Sequence, residues 1–308
     1  MLLEVDKNTY KKYFPSNPHP FISESFIELN KNKVEKIIRL VDEADVSSIG
    51  FVVGIRNGVL YSPFSAPFGG FHFRNEIIYV KEIDMFISSL QEFIVSNGFR
   101  GVEIVLPPDL YHLTFNTKII NALIRNGFET GPPEITNWVN LESFSGTFTQ
   151  KNSREYYRQA VRNGLSFHVV TGAHEKRLIY ELICENRAKF GRPIYMTFED
   201  LMDTNSLWPV DFIKIDNGDK EIVASAIFYR SLPDICFAVF WGDNEVGRPL
   251  RAMDFLTFSL WNYYKKLEFK YIDLGISTEA GIPNEGLLRF KESHESVSSL
   301  KYKFTWIH

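Results

Sequence analysis

Three side chains able to carry acid–base chemistry lie close together near the C-terminal end of the sequence. Asp273 lies near the end of an apolar stretch with the length of a strand, and Lys291 and His294 follow around a short helical turn. In α/β folds, functional groups commonly lie where a strand ends. A lysine can stabilise an anionic intermediate and a histidine can move a proton. We therefore predict that Asp273, Lys291 and His294 are catalytic; the alternative is a solvated lysine and a surface histidine.

A second group of candidates surrounds a polar turn between a strand and a helix. Apolar residues predict a strand over Ile235–Trp241 and a helix over Pro249–Leu267, whose proline suits the first helical turn. The free N–H groups and the positive dipole end of such a helix favour a phosphate or pyrophosphate. Arg248 and Arg251 would add cationic donors. Because the glycines of this turn, Gly247 among them, form no phosphate-binding fingerprint, a surface turn with solvated arginines is the alternative.

The third candidate is a loop dense in proline, glycine and aromatic residues, Tyr61–Phe71. Its paired glycines, Gly69 and Gly70, allow the backbone to approach a ligand closely. Exposed aromatic side chains such as Phe68 would line a substrate groove. A rigid loop packed into the core is the alternative.

Two sets of basic residues lie outside these segments. Arg187 and Arg192 flank Phe190-Gly191 and would reach a cleft, so we predict that they contact substrate. Basic side chains also recur at helical spacing, where they would meet a phosphate or a nucleic acid. These are Lys151, Arg154, Arg158 and Arg162. For this second set, a solvated helix face is the alternative.

The composition excludes several classes of protein. The chain has 308 residues, of which 44% are apolar and 23% charged, as in globular rather than disordered proteins. Its net charge of −4 argues against a DNA-binding domain. Cys184 and Cys236 fit neither a disulfide framework nor a zinc site, so we expect reduced thiols and no metal. The sequence shows neither a membrane-spanning stretch nor a signal peptide, and we expect a cytoplasmic protein.

Both halves of the chain show hairpin-linked strands, then a helix, then a strand ending near a loop. Asn57-Gly58 predicts a hairpin turn, an apolar period predicts a helix over Glu82–Ser96, and Thr197 would cap a short helix. The Ser/Thr/Gly-rich stretch Phe144–Gln150 predicts a boundary between domains 1–145 and 146–308. The other predicted strands are Val34–Val41, Ser47–Val53, Gly101–Leu106, Asn137–Leu141, Leu165–Val170, Val210–Ile215, Ile222–Tyr229, Lys270–Leu274 and Leu300–Trp306, and the other helices are Asn116–Arg125, Ser153–Arg162, His174–Phe190, Phe198–Thr204 and Glu285–Lys291.

With its elements in this order, the sequence resembles the Fem-type branch of the GNAT superfamily, the acyl-CoA N-acyltransferases. Four short segments, which match in order and spacing, are distributed over most of the chain. They are Tyr156-Tyr157-Arg158-Gln159-Ala160-Val161-Arg162-Asn163-Gly164, Phe240-Trp241-Gly242 before a long helix, Tyr271-Ile272-Asp273-Leu274-Gly275 with Gly286-Leu287-Leu288-Arg289-Phe290-Lys291, and the loop Ser65-Ala66-Pro67-Phe68-Gly69-Gly70.

The resemblance implies an α/β (α+β) fold with two GNAT-like domains in tandem, each a mixed, mostly antiparallel sheet flanked by helices. It also implies roles for particular residues. Lys291 would match the lysine of the family's Phe-Lys motif near the reaction centre. Gly247, Arg248 and Arg251 would lie where GNAT enzymes hold the pyrophosphate of CoA, next to Phe240 and Trp241 on the central strand.

The function that this resemblance implies is N-acyl transfer. We expect an acyl group, from acetyl-CoA or another acyl-CoA, to pass to an amine of a small molecule, a sugar or a peptide. A Fem-type aminoacyltransferase that uses aminoacyl-tRNA on a cell-wall precursor is the alternative, which the overall acidity disfavours. A degenerate, non-catalytic binding module is the third interpretation.

Overall fold

Short local signals set many element boundaries in the computed structural model, which describes residues 1–43 and 48–308. Asn57 and Gly58 have φ angles of 48° and 72°, the left-handed pair that a two-residue hairpin turn requires. Thr197 and Asp200 bond each other's backbone N–H groups in a capping box. The hairpin and the capped helix predicted from these residues are therefore confirmed.

The described ranges contain helices and strands distributed along the whole chain. The helices are α1 (Lys7–Tyr13), α2 (Glu24–Leu29), α3 (Val80–Ser96), α4 (Asp109–Arg125), α5 (Lys151–Arg162), α6 (Ala173–Lys189), α7 (Phe198–Asn205), α8 (Gly247–Leu250), α9 (Ala252–Lys266) and α10 (Glu285–Ser293). The strands are β1 (Leu2–Glu4), β2 (Ile37–Asp42), β3 (Ile49–Arg56), β4 (Val59–Ser62), β5 (Phe71–Phe73), β6 (Gly101–Val105), β7 (Glu129–Thr130), β8 (Glu134–Asn140), β9 (Ser166–Val170), β10 (Val210–Asp216), β11 (Ile222–Tyr229), β12 (Ile235–Asp243), β13 (Tyr271–Ile276), β14 (Thr278–Glu279), β15 (Ile282–Pro283), β16 (Ser296–Lys301) and β17 (Lys303–Ile307).

The chain folds into two units, and each unit is built from more than one segment of the chain. The sequence did not indicate this arrangement. Unit 1 contains Met1–Thr136, Thr278–Pro283 and Ser299–His308, and unit 2 contains Asn137–Ser277 and Asn284–Ser298. The predicted division into 1–145 and 146–308 differs from this in two respects. The first boundary falls between Thr136 and Asn137, and two segments of the C-terminal half belong to unit 1. The physical reason at the C-terminus is that β17 pairs with β6, in the first half of the chain.

The sheet of unit 1 has the strand order β1-β2-β3-β4-β6-β17-β7, with β5 on β3. Its pairs are antiparallel except for β4 and β6, which run parallel from Val59–Gly101 to Ser62–Ile104. Helices α3 and α4 pack on this sheet through apolar side chains spaced at helical intervals, among them Ile83, Phe86 and Ile119. One predicted strand, Ser47–Val53, begins at a residue outside the described ranges; its residues from Ile49 to Val53 lie in β3.

The sheet of unit 2 has the strand order β16-β8-β13-β12-β11-β10-β9. Strands β9 to β12 pair antiparallel, and β12 runs parallel to β13. Helix α9 packs its apolar face, which includes Leu256, Leu260 and Trp261, into the core of this unit. Both units therefore have the predicted mixed, mostly antiparallel sheet with flanking helices.

The predicted long helix Pro249–Leu267 is wrong in one respect. Arg251 has a φ of 63° and interrupts the segment, so that a short α8 precedes α9. A left-handed residue cannot continue a right-handed helix. The interruption makes Ala252 the first residue of the long helix, and the N-terminal turn of that helix lies three residues later than expected.

Candidate functional site

The parallel pair β12–β13 ends early, and this opens the sheet of unit 2. The paired register runs from Ile235–Tyr271 to Phe237–Asp273, although β12 continues to Asp243. Within β12, Val239 is a bulge: Ala238 pairs with Phe228, and Phe240 pairs with Ile227. Bulges bend a strand and are common beside active sites. Beyond the register of β13, the bent strand borders an open space.

That space is a cleft of about 520 Å³ in unit 2. It is bounded by the end of β12, by α8 and the first turn of α9, by the C-terminal part of α6 and by α10. The side chains and backbone that line it belong to Asn186, Phe190, Gly242, Asp243, Arg248, Arg251, Ala252, Met253, Asp254, Gly286, Leu287 and Phe290. A volume of this size is typical of a small-molecule or cofactor site.

The predicted phosphate turn lies at this cleft. Arg248 and Arg251 line it, and Gly247 is the first residue of α8, where a Cβ would come within 2.3 Å of the carbonyl oxygen of Val223. The structure therefore requires glycine at this position. The guanidinium of Arg251 stacks 3.9 Å from the ring centroid of Tyr156, which fixes the cation at the entrance of α9.

Two carboxylates oppose these cations. Asp243 pairs with the Nε of Arg248 at 3.5 Å, and its burial raises the pKa of its carboxyl while Arg248 acts in the opposite direction. Asp254, on the first turn of α9, also lines the cleft. The cleft thus combines two arginines with two aspartates, so its field attracts an anion less strongly than a purely basic pocket would.

The two aromatic residues predicted at the cofactor site, Phe240 and Trp241, lie on the bulged part of β12. The ring centroid of Trp241 is 5.8 Å from that of Phe290 and 6.4 Å from that of Trp261. These rings pack beneath the cleft. Phe240 points to the guanidinium of Arg187, which lies 5.8 Å from its ring centroid.

Asp273 and Lys291, both predicted to be catalytic, lie together at the end of β13. The ammonium of Lys291 donates to the carbonyl oxygens of Leu274, Gly275 and Ile276 at 2.9, 2.8 and 3.0 Å. Asp273 accepts a hydrogen bond from the backbone N–H of Gly275 at 2.8 Å. Burial lowers the pKa of Lys291 to about 7, and Asp273 acts in the opposite direction.

These contacts change the interpretation of Lys291. An ammonium has three N–H donors, and three backbone carbonyls use all of them. The side chain is 1% exposed, so the expected solvated alternative is wrong. We find a lysine that holds the bent end of β13, rather than one that faces an anionic intermediate in the cleft.

His294, the third predicted catalytic residue, is also buried, at 2% exposure. Its Nδ1 lies 2.7 Å from the carbonyl oxygen of Phe290, and its Nε2 lies 3.0 Å from Oδ1 of Asp254. The expected surface histidine is therefore also wrong. His294 reaches the cleft through Phe290 and through Asp254. No sequence pattern singles out Asp254, because an acid in the first turn of a helix is an ordinary helix-stabilising feature.

The loop predicted to line a substrate groove is packed into unit 1. Phe68 is 1% exposed, and its ring contacts those of His19, Phe21 and Tyr111. The expectation of an exposed Phe68 is therefore wrong, because the ring fills the core of the unit.

Close packing and a left-handed backbone conformation explain the two glycines of this loop. A Cβ on Gly69 would lie 2.7 Å from the backbone nitrogen of Pro63, and Gly70 has a φ of 101°. The backbone N–H of Gly69 donates to the carbonyl oxygen of Val105 at the end of β6. The loop thus occupies the space that follows the parallel pair of unit 1, whereas the corresponding space in unit 2 is the open cleft.

The remaining basic candidates differ in their surroundings. Arg187 is half-buried, and burial together with Arg192 lowers the pKa of its guanidinium. On α5, Arg154 donates to the carbonyl oxygens of Phe148 and Thr149, and Arg158 pairs with Glu155. Two of the four basic residues of the α5 face therefore have intramolecular partners.

The fold defines the class to which this structure belongs: two GNAT-like units in tandem. FemX has a TM-score of 0.69 with this chain at 10% identity, covering 100% of this chain and 97% of that one. L-PGS from Bacillus licheniformis has a TM-score of 0.59 at 14% identity, covering 98% and 92%. A tandem GNAT protein from the clavulanic acid biosynthesis pathway has a TM-score of 0.57 at 6% identity, covering 98% and 97%. At these identities the likeness establishes the fold.

Comparisons of the sequence itself found no matching protein-family model and no significantly similar curated protein. Within residues 1–43 and 48–308, no helix has the length and apolar character needed to cross a bilayer. In the same part of the chain, no group of three or more His, Cys, Asp or Glu side chains is arranged to hold a metal ion.

Proposed function

We propose that this protein is an N-acyltransferase that binds its acyl donor in the cleft of unit 2. The observation that carries the proposal is the end of the β12–β13 pairing at Phe237–Asp273, followed by the bulge at Val239 and the open cleft. Backbone groups released from a ladder are available to a ligand. In this chain they border a cavity that also contains a helix N-terminus and two arginines.

The chemistry needs few protein groups. The acceptor amine attacks the acyl carbon, the new C–N bond forms, and the bond to the donor's sulfur or oxygen breaks. The proton that the amine nitrogen loses is taken up by the leaving thiolate or alkoxide. Positioning of the two reactants supplies much of the rate, and a backbone N–H near Phe240 or Trp241 would polarise the acyl carbonyl. The acceptor is an amine of a small molecule, a sugar or a peptide.

Acetyl-CoA, or another acyl-CoA, is the first donor to test. Its pyrophosphate would lie on the first turn of α9, close to Arg248 and Arg251. The opposing carboxylates of Asp243 and Asp254 set a limit on affinity, and we expect a dissociation constant in the micromolar range or weaker.

Isothermal titration of the intact chain with acetyl-CoA tests this donor. We expect saturable binding that Arg251→Ala weakens about 10-fold, the loss of one charge-assisted contact. Arg162→Ala is the matched control, because Arg162 is exposed on α5 and is not part of the cleft lining. Absence of binding at millimolar acetyl-CoA would eliminate the CoA donor.

An aminoacyl-tRNA donor is the second candidate. Two observations favour it: the likeness to FemX extends over the whole chain, and α5 carries Lys151 and Arg162 on an exposed face. If this donor is correct, the chain binds tRNA with an affinity that falls steeply with salt, and Lys151→Ala with Arg162→Ala reduces both the affinity and the salt slope. An unchanged slope in the double variant would eliminate this face of α5 as a tRNA-binding surface.

A further inference from the structure

The guanidinium of Arg187 is half-buried without an acidic partner in the part of the chain that the structure describes. Arg187 lies in the last turn of α6. Within residues 1–43 and 48–308 its Nε is enclosed and has no hydrogen-bond partner. Burial, and then the charge of Arg192, lower the pKa of this guanidinium, and among the described residues no carboxylate acts in the opposite direction. Arg187 therefore lacks the ion pair that normally compensates the burial of a charge.

The neighbouring cation of the same helical turn differs from Arg187 in this respect. Lys189 is exposed and pairs with Glu245 at 2.9 Å. Arg187 instead has its guanidinium carbon 5.8 Å from the ring centroid of Phe240. An aromatic ring attracts a cation through its face and accepts none of the in-plane N–H groups of the guanidinium. The terminal N–H donors of Arg187 are therefore available to an anion that comes from outside the chain.

Phe240, whose ring lies beside this guanidinium, is also a residue at which the edge of β12 is open. Its backbone pairs with Ile227 of β11 on one side. On the other side the register with β13 has already ended, at Phe237–Asp273. The acyl carbonyl of the proposed reaction would lie at this open edge. The guanidinium and the reacting carbon would therefore both be neighbours of Phe240.

Arg187 lies outside the place assigned to the donor's pyrophosphate. That place is the first turn of α9, where Arg248 and Arg251 line the cleft. Asn186 and Phe190 of α6 also belong to the cleft lining, whereas Arg187 does not. The phosphates of the donor would thus be bound by one pair of arginines. Arg187 is a separate cation that can bind the second reactant.

We propose that Arg187 binds a carboxylate of the acceptor, so that the acceptor is an amino acid or a peptide with its amine and its carboxylate in one molecule. The inference rests on the proposed acyl transfer, which makes the bound carboxylate part of an acceptor. One guanidinium balances one negative charge, and the two oxygens of a carboxylate match its parallel N–H donors. Held in this way, the acceptor presents its amine at the open edge of β12, next to the acyl carbon. Arg187 binds and orients the acceptor and transfers no proton.

A binding experiment tests this site without any acyl transfer. The probes are unbranched amino acids from glycine to aminohexanoate, each compared with its methyl ester, which keeps the amine and removes the negative charge. Ligand-observed NMR titration of the intact chain measures the affinities. We expect the amino acid of the best length to bind about 10-fold more tightly than its ester. Arg187→Gln should abolish this preference, and Arg187→Lys, which keeps the charge without the planar fork of donors, should keep part of it.

The matched control is Lys189→Gln, which removes the exposed cation of the same helical turn and should keep the preference. Charge reversal is a separate arm: Arg187→Glu should bind the ester more tightly than the amino acid. A melting curve shows which variants fold, and if Arg187→Gln does not, Arg187→Lys and Arg187→Glu carry the test. Equal affinity for amino acid and ester at every length in the intact chain would overturn the proposal. So would a preference that survives in the folded Arg187→Gln chain.

Kinetics separate this proposal from the proposed function. If acetyl-CoA supports transfer to an amine, Arg187→Gln should raise KM for the amino acid acceptor about 10-fold and leave KM for acetyl-CoA unchanged. A merely structural role would not divide the two KM values in this way. Equal KM values for the amino acid in the intact chain and in Arg187→Gln would overturn the proposal. Absence of transfer with every donor would count against the proposed function, while the binding preference would still decide whether Arg187 holds a carboxylate.

Discussion

The ammonium of Lys291 donates a hydrogen bond to the carbonyl oxygen of Gly275 at 2.8 Å, across the turn that ends β13. Gly275 has a φ of 68°, and its own N–H donates to the carboxylate of Asp273. The two charged residues that sequence reasoning assigned to catalysis thus hold opposite sides of one turn. Their shared effect is to hold the left-handed residue Gly275 in place near the end of β13.

Lys291→Met should therefore destabilise unit 2. The methionine fills much of the same space but leaves the carbonyl oxygens of Leu274, Gly275 and Ile276 without the ammonium donor, and we expect a loss of about 3 kcal/mol in the free energy of unfolding. Urea denaturation followed by tryptophan fluorescence measures it. Lys270→Met, which removes an exposed lysine paired with Asp234, should cost less than about 1 kcal/mol. Equal unfolding midpoints for the two variants would contradict this stabilising role of Lys291.

The fold was predictable where its signals are local. Asn57-Gly58 and Thr197 specify a turn and a helix start from a few neighbouring residues, and the structure has both. The last strand was predicted as one segment over Leu300–Trp306. It divides into β16 and β17, and β17 completes the sheet of unit 1. Pairing between distant segments leaves no mark in a local pattern, so the division of the chain between units could not be seen.

The sequence indicates the location of the candidate site more readily than the roles of its residues. Arg248 and Arg251 line one cleft, and Gly247 precedes them in α8. The contacts of Lys291 and His294 depend on three backbone carbonyls and on Asp254, which come together only in the folded chain. Sequence spacing can predict that a lysine lies near the end of a strand. It cannot show whether the N–H groups of that lysine already have hydrogen-bond partners.

Gly247 offers a test of how closely α8 packs against the backbone of Val223. A Cβ at this position would lie 2.3 Å from the carbonyl oxygen of Val223 and 3.1 Å from the Cβ of Ala252. Since the nearest atom is backbone, Gly247→Ala should cost about 2–3 kcal/mol and weaken donor binding. Gly218→Ala, where nothing lies within 4 Å, is the control and should change stability by less than about 0.5 kcal/mol.

Arg251 offers a test that separates backbone strain from charge. Its φ of 63° lies in the left-handed region that glycine adopts without strain. Arg251→Gly should therefore be more stable than Arg251→Ala by roughly 0.5–1 kcal/mol, measured by thermal or urea unfolding. Both variants remove the guanidinium and should weaken acetyl-CoA binding equally. A difference in affinity between them would show that the backbone conformation, rather than the cation, governs the donor site.

Two buried histidines should make unit 1 sensitive to acid. His72 contacts the hydroxyl of Tyr10 at 2.9 Å and the side chain of Asn17 at 3.2 Å, and Nε2 of His19 bonds the carbonyl oxygen of Gly69 at 2.9 Å. Burial lowers the pKa of each histidine to about 3 from an ordinary value of 6.5. Both side chains are therefore neutral in the folded protein at pH values where the unfolded chain takes up protons.

The direction of the pH dependence follows from this difference. Above pH 6.5 neither state is protonated at these sites, so the stabilisation is complete. Between pH 6.5 and pH 3 the unfolded state binds more protons, so stability falls as the pH falls, by several kcal/mol for the two sites together. Melting temperature measured across this range should decline steadily in the intact chain. His72→Gln should flatten the decline, whereas the exposed His168→Gln should leave it unchanged, and parallel curves for the two variants would show that His72 is not the acid-sensitive group.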